Sequence, residues 1–212
     1  MRITIRGRLL LVSACLLAGT IVCAQQPQSS AKQPAVFTDV AVTYSLEHAE
    51  LVPGQCCFWM KGAAADAAVT FWRGFGIAAS MTGEHASNYV PGYDVNKITY
   101  LAGPRYTYTV WTNNTGAVAT PRLQIFGEGL FGGVNAFNGV FPTSTGTTTS
   151  AGSYAIQAGG GVDVFFFKHY GVRLLEADYV RTALPNGVDN VQNDLRIAFG
   201  VTYHFGSIHH RR

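Results

Sequence analysis

Residues 194–205, DLRIAFGVTYHF, alternate without a break. Leu195, Ile197, Phe199, Val201, Tyr203 and Phe205 fall on one face of an extended chain. Arg196, Ala198, Gly200, Thr202 and His204 fall on the other. A helix would scatter the six large residues around its circumference, so the period of two makes this a β-strand. Such a strand has two homes. In a soluble antiparallel sheet the apolar face packs on a core. In a membrane barrel it meets lipid, and the small and polar residues line a narrow lumen.

The rest of the chain favours the membrane. Seven more alternating segments precede the last one, near residues 36–47, 62–72, 75–84, 98–110, 123–134, 154–167 and 172–184. Their connections alternate in length. Residues 72–75 and 168–171 read as tight turns, and 111–122 is a longer connection of the same set. Between these lie polar stretches at 47–61, 85–97, 136–153 and 185–192, read as long loops. Short turns on the periplasmic side and long loops outside are the rhythm of an outer-membrane barrel. Aromatic residues collect at segment ends: Phe71, Trp72 and Phe75; Tyr106, Tyr108 and Trp111; Phe165 to Phe167 and Tyr170; Tyr203 and Phe205. At those positions they predict an interfacial girdle. The fold class expected is an all-β, eight-stranded antiparallel up-and-down transmembrane barrel.

The N-terminal segment reads as a secretory signal over 1–24, with Arg2, Arg6 and Arg8 ahead of an apolar run and a small-residue site ending at Ala24. A polar periplasmic linker over 25–35, the barrel over 36–206 and a tail over 207–212 complete the expected organisation. Three of the 15 Lys and Arg residues leave with the signal, so the remaining chain balances its 12 Asp and Glu. No basic footprint for nucleic acid remains. Of the four cysteines, only Cys56 and Cys57 stay, and one vicinal pair is no disulfide scaffold.

The signal, the alternating segments and the stretches LAGPRYTY (101–108), GGGVDVFF (159–166), VRLLEADYVRT (172–182) and LRIAFGVTYHFG (195–206) resemble the small OmpA/OmpX-type outer-membrane β-barrel proteins. The resemblance implies a bacterial outer-membrane location, with membrane lipid and lipopolysaccharide as surroundings. It implies recognition of the last strand by the barrel-assembly machinery, through Gly200, Tyr203 and Phe205. It implies a structural or adhesin-like role, with an outside partner meeting the loops. No enzymatic activity, cofactor or metal is expected from it.

The inward face collects Asp39, Asp66, Arg105, Glu128, Asp163, Glu176, Asp178 and Arg196. An eight-stranded barrel is just wide enough for its side chains to fill, and charges in that space must pair. The expectation is an ionic plug with Arg105 and Arg196 bridging several carboxylates; a narrow pore is the alternative. Gly127 to Gly132 fits G-x-G-x-x-G, but strand-like flanks leave no helix N-terminus to hold phosphates. His85-Ala86-Ser87-Asn88 resembles the H-x-S-N signature of the lipid A deacylase barrels, where His activates a Ser nucleophile. Glu84 and Glu50 are the candidate orienting acids. A soluble lipocalin-like barrel would reverse the two faces.

Overall fold

The structure is a computed structural model that describes residues 36–50, 57–90, 92–112 and 122–206. The expected signal, linker and tail, Cys56 and residues 113–121 of the 111–122 connection lie outside the described residues. Eight strands follow one another: β1 (Phe37–Ala49), β2 (Phe58–Trp72), β3 (Phe75–Val90), β4 (Tyr93–Thr112), β5 (Arg122–Thr143), β6 (Gly146–Phe165), β7 (Tyr170–Thr182) and β8 (Gln192–Phe205). Each pairs antiparallel with the next, and β1 pairs with β8 to close the barrel. Closure leaves no unpaired strand edge, which is the condition for a sheet to stand in lipid.

The connections β2–β3 and β6–β7 mark one end, here called the turn end; the opposite end is the loop end. Between β2 and β3, Arg73 and Gly74 have φ of 48° and 96°. Positive φ at both central residues gives the hairpin turn whose twist matches its strands, and Gly74 takes the more strained of the two positions at no steric cost.

Two stretches expected as long loops are strand instead. Most of 85–97 belongs to β3 and β4, and most of 136–153 belongs to β5 and β6. β5 has 22 residues and β6 has 20, against 13 in β1 and 13 in β7. The β5–β6 hairpin therefore continues well past the loop-end rim. A register shift between Phe137 and Phe141, with Asn138 at φ 62°, bends it there. Phe141 folds back and is buried, as are Leu184, Met60 and Val95. These side chains form an apolar cap over the loop end of the lumen.

The alternation sorts each strand into two walls. Val42, Ile77, Phe131 and Val201 point outward, the last two being 70% and 61% exposed. Asp39, Thr43, Ser45 and Glu47 of β1 are buried on the inside. The faces are therefore the reverse of a soluble ligand-binding barrel. At the turn end the exposed aromatics touch one another: Trp72 stacks on Phe75 at 5.9 Å, Phe75 meets Tyr106 at 4.8 Å, and Tyr203 meets Tyr170 at 4.9 Å and Phe205 at 4.4 Å. An apolar belt bounded by aromatic rings is the outer surface of a transmembrane barrel.

Candidate functional site

Charge in the lumen is arranged in levels. Nearest the loop end, Lys97 donates to Glu47, lies 3.3 Å from Asp194 and 3.6 Å from Glu84. One ammonium thus serves three carboxylates, and Ser45 Oγ donates to Glu84 at 3.2 Å. The next level is built on Arg196. Its guanidinium donates to Asp178 at 2.9 Å, Gln157 Oε1 at 2.8 Å and Thr82 Oγ1 at 2.7 Å.

Below it lies the densest level. Arg173 donates to Asp163 at 2.9 Å, Asp66 at 2.9 Å and Glu176 at 2.6 Å, tying β7 to β6 and across the lumen to β2. Arg105 stands 3.5 Å from Glu128 and 3.7 Å from Asp163. The Phe126 ring lies against both guanidinium groups, at 3.6 Å from Arg105 and 4.5 Å from Arg173. Its π-face attracts each cation and spaces two like charges. Glycine makes this packing geometrically feasible: a Cβ on Gly161 would lie 2.7 Å from the Phe126 ring. At the turn end His204 Nδ1 meets Asp39 at 2.6 Å, and Arg122 lies over the Phe165 ring at 4.2 Å.

The eight residues expected inside are all on the inner wall, but the bridging pattern differs from the expectation. Arg105 and Arg196 each take part, yet Lys97 and Arg173 each hold three carboxylates, and it is Arg173 that anchors the densest level. Periodicity hides it. Leu174 and Leu175 are both exposed, at 56% and 49%, because a register shift lies between Arg173 and Glu176. Counting by twos from Glu176 puts Arg173 in lipid; the bulge turns it inward. Lys97 was hidden by its place in an expected loop. Among the described residues, nine carboxylates line the lumen (Asp39, Glu47, Asp66, Glu84, Glu128, Asp163, Glu176, Asp178 and Asp194) against Lys97, Arg105, Arg122, Arg173, Arg196 and His204. The G-x-G-x-x-G stretch lies within β5 and opens no helix.

On the outer wall near the loop-end rim, His85 Nε2 is 2.8 Å from Ser87 Oγ. His85 Nδ1 is 2.9 Å from Asn96 Oδ1, on the paired position of β4. Neither expected acid orients the ring. Glu84 points into the lumen toward Lys97, as strand alternation requires. Glu50 is held elsewhere, its N–H donating to Asp194 at 3.0 Å. The orienting group is Asn96.

No family model and no curated protein sequence matches the chain. Solved structures do. The attachment invasion locus protein Ail of Yersinia pestis, crystallised with the heparin analogue sucrose octasulfate, is similar with a TM-score of 0.51 and 14% identity, over 80% of this chain and 99% of that one. Neisserial surface protein A is similar with a TM-score of 0.51 and 12% identity, over 79% of this chain and 96% of that one. With its apolar belt outside, its charges inside and its strands closed, the chain has the fold of the small eight-stranded bacterial outer-membrane β-barrels.

Proposed function

We propose that this barrel stands in the outer membrane with its loop end outward, where it serves as a non-conducting display scaffold for the β5–β6 hairpin. The observation that carries the reading is the pairing of a filled lumen with the β5–β6 hairpin, the longest among the described residues. Its strands of 22 and 20 residues stand against 16 and 20 in β3 and β4. Charged side chains cross the lumen at several levels, and the apolar cap lies over them. A wall this rigid holds a projecting hairpin at a fixed angle to the cell surface.

The hairpin chemistry narrows the partner. Residues 135–153 carry no charged side chain and are rich in Thr, Ser and Gly, with Phe137 and Phe141 at the bend. Such a surface binds through hydrogen bonds and apolar contact. It lacks the cations that would hold a sulfated polysaccharide, so the ligand seen on Ail is not carried over. Outer-leaflet lipid surrounds the belt, and β8 presents the assembly signal.

A cysteine replacing Thr145 tests the orientation, through labelling by a membrane-impermeant maleimide on intact cells. Replacing 138–148 with a two-residue Asn-Gly turn tests the role. Cells should lose attachment to mucin-coated glass, while cells carrying either form should bind heparin-coated glass no better than cells without the barrel. Ion conductance across planar bilayers at the level of a pore would end the reading.

A further inference from the structure

We propose that Glu128, Glu176 and Asp178 form a Ca²⁺ site inside the lumen, where the bound ion clamps β5 to β7 across β6. The three carboxylates span two levels of the ionic plug. Asp178 accepts from Arg196 at 2.9 Å, and Glu176 accepts from Arg173 at 2.6 Å. The site belongs to the rigid wall and not to the β5–β6 hairpin tip, so it adds a ligand to the barrel independently of what the hairpin displays.

Strand register makes the pocket. Glu128 pairs with Gly159, and Gly159 pairs with Asp178, so the three stand in one row across β5, β6 and β7. A side chain at the middle position would fill the space between the two acids. Glycine leaves it open, and a Cβ on Gly159 would collide with Asp178 Oδ1. That oxygen therefore leans over β6, on the side toward Glu128. Glu176 stands two residues before Asp178 and shares its inner face. One oxygen from each of the three carboxylates lies within 4.8 Å of the others.

Two further observations call for a cation here. The first is an orphaned acceptor. Asp178 is only 1% exposed, and its Oδ1 has no hydrogen-bond donor among the described residues. Leaving a buried carboxylate oxygen without a donor is costly, and this one leans into the pocket. The second is charge. Across the Arg196 and Arg173 levels, Asp66, Glu128, Asp163, Glu176 and Asp178 face Arg105, Arg173 and Arg196 among the described residues. Two negative charges are left over in a lumen packed with side chains, where water screens them poorly. One divalent cation cancels both.

The ligand set selects the ion. Three carboxylates, with no imidazole or thiolate in the group, suit a hard cation. Ca²⁺ binds oxygen at about 2.3–2.6 Å, so oxygens on opposite sides of it stand about 4.6–5.2 Å apart and neighbouring ones closer. Mg²⁺ binds at about 2.0–2.1 Å and demands a near-octahedral shell. These carboxylates are not free to swing into one. Arg196 and Arg173 hold Asp178 and Glu176, and Glu128 accepts from Gln157 Nε2 at 3.3 Å while standing 3.5 Å from Arg105. Partners outside the pocket thus fix the orientation of each ligand, and the irregular set matches the larger, more tolerant ion. Water completes the coordination.

The test uses the full mature chain, folded in detergent micelles and checked by heat-modifiable gel mobility. In equilibrium dialysis against radiolabelled Ca²⁺ near neutral pH, wild-type protein should take up about one ion per barrel, with a Kd on the order of 10⁻⁷–10⁻⁵ M. Mg²⁺ should displace it poorly. Asp178→Asn and Glu128→Gln, still heat-modifiable, should each weaken uptake about 10-fold or more. Glu84→Gln, at the Lys97 level, should leave uptake unchanged. The urea midpoint of the wild type should rise with Ca²⁺ concentration, since an ion that binds only the folded barrel stabilises it. The midpoints of Asp178→Asn and Glu128→Gln should not respond. Absence of saturable uptake by the wild type would overturn the proposal whether or not the variants fold, and would leave protons to balance the two charges. Uptake that survives both Asp178→Asn and Glu128→Gln, or that Glu84→Gln abolishes, would place the ion elsewhere and overturn it equally. Loss of attachment on hairpin replacement bears only on the display role.

Discussion

The two walls of the same strands solve opposite problems. The outer wall meets lipid and stabilises by being indifferent to detail. Val42, Ile77 and Val201 touch a fluid solvent, and any apolar side chain would serve there. The inner wall has no solvent to fall back on. Each charge there depends on a particular partner, as Arg173 does on Asp66, Asp163 and Glu176. The barrel is thus permissive outside and exacting inside, which inverts the ordinary soluble domain.

That contrast can be broken most forcefully at Arg173. Arg173→Leu takes the paired cation from Asp66 and Glu176 and leaves Asp163 with Arg105 alone at 3.7 Å. Breaking a buried pair in this way costs about 3–5 kcal/mol. The expected result is a large drop in the urea midpoint for unfolding from vesicles, or failure to show heat-modifiable mobility. Val42→Arg puts a charge into the belt near mid-height and should cost about 2–4 kcal/mol in the same assay. Val42→Leu should cost almost nothing, and a matching loss from both Val42 variants would contradict the permissive wall. Smaller again is Tyr44→Ala, which removes the outer ring pair with Phe199 at 5.7 Å; such pairs are worth about 0.5–1.5 kcal/mol beyond burial.

The smallest effect lies beyond the membrane, where the contrast between walls ends. Asn186 accepts from the N–H groups of Val188, Asp189 and Asn190 and donates to the Asp189 carboxylate at 2.8 Å. That donation holds the Asp189 carboxyl below its ordinary value of 3.8. A depressed carboxyl contributes order above its unfolded value and loses it as pH falls through the folded one. Asn186→Ala, or acidification below the ordinary Asp range, should speed proteolytic nicking of residues 185–191 while leaving the urea midpoint in place.

The same contrast explains what the sequence disclosed. Alternation is legible where one wall is apolar and the other polar, so all eight strands and their order could be read. Past the rim both faces of a strand meet water, and the signal disappears. Residues 146–153, GTTTSAGS, alternate in nothing, yet they are strand in β6. Lys97, buried in the lumen, was obscured differently, by the polar run 85–97 that reads as a loop. The inner wall was legible by parity alone, which is why Asp39, Asp66, Asp163 and Arg196 could be placed and Arg173 could not. His85 and Ser87 were visible as a pair two residues apart. Asn96 was not, because its approach depends on the β3–β4 register, which a single sequence does not state.

The bulge at Leu174 and Leu175 has a consequence for change over generations. Elsewhere in the belt, a substitution that keeps the side chain apolar leaves the partner scheme intact. Here the spacing itself is the message: with both leucines kept, ironing the bulge into a regular strand would swing Arg173 out among acyl chains, away from Asp66, Asp163 and Glu176. Deleting one leucine would instead leave Arg173 and Glu176 two apart on the inner face. A lineage can therefore replace nearly every residue of its outer surface, but it can straighten this strand only by losing one residue at the bulge.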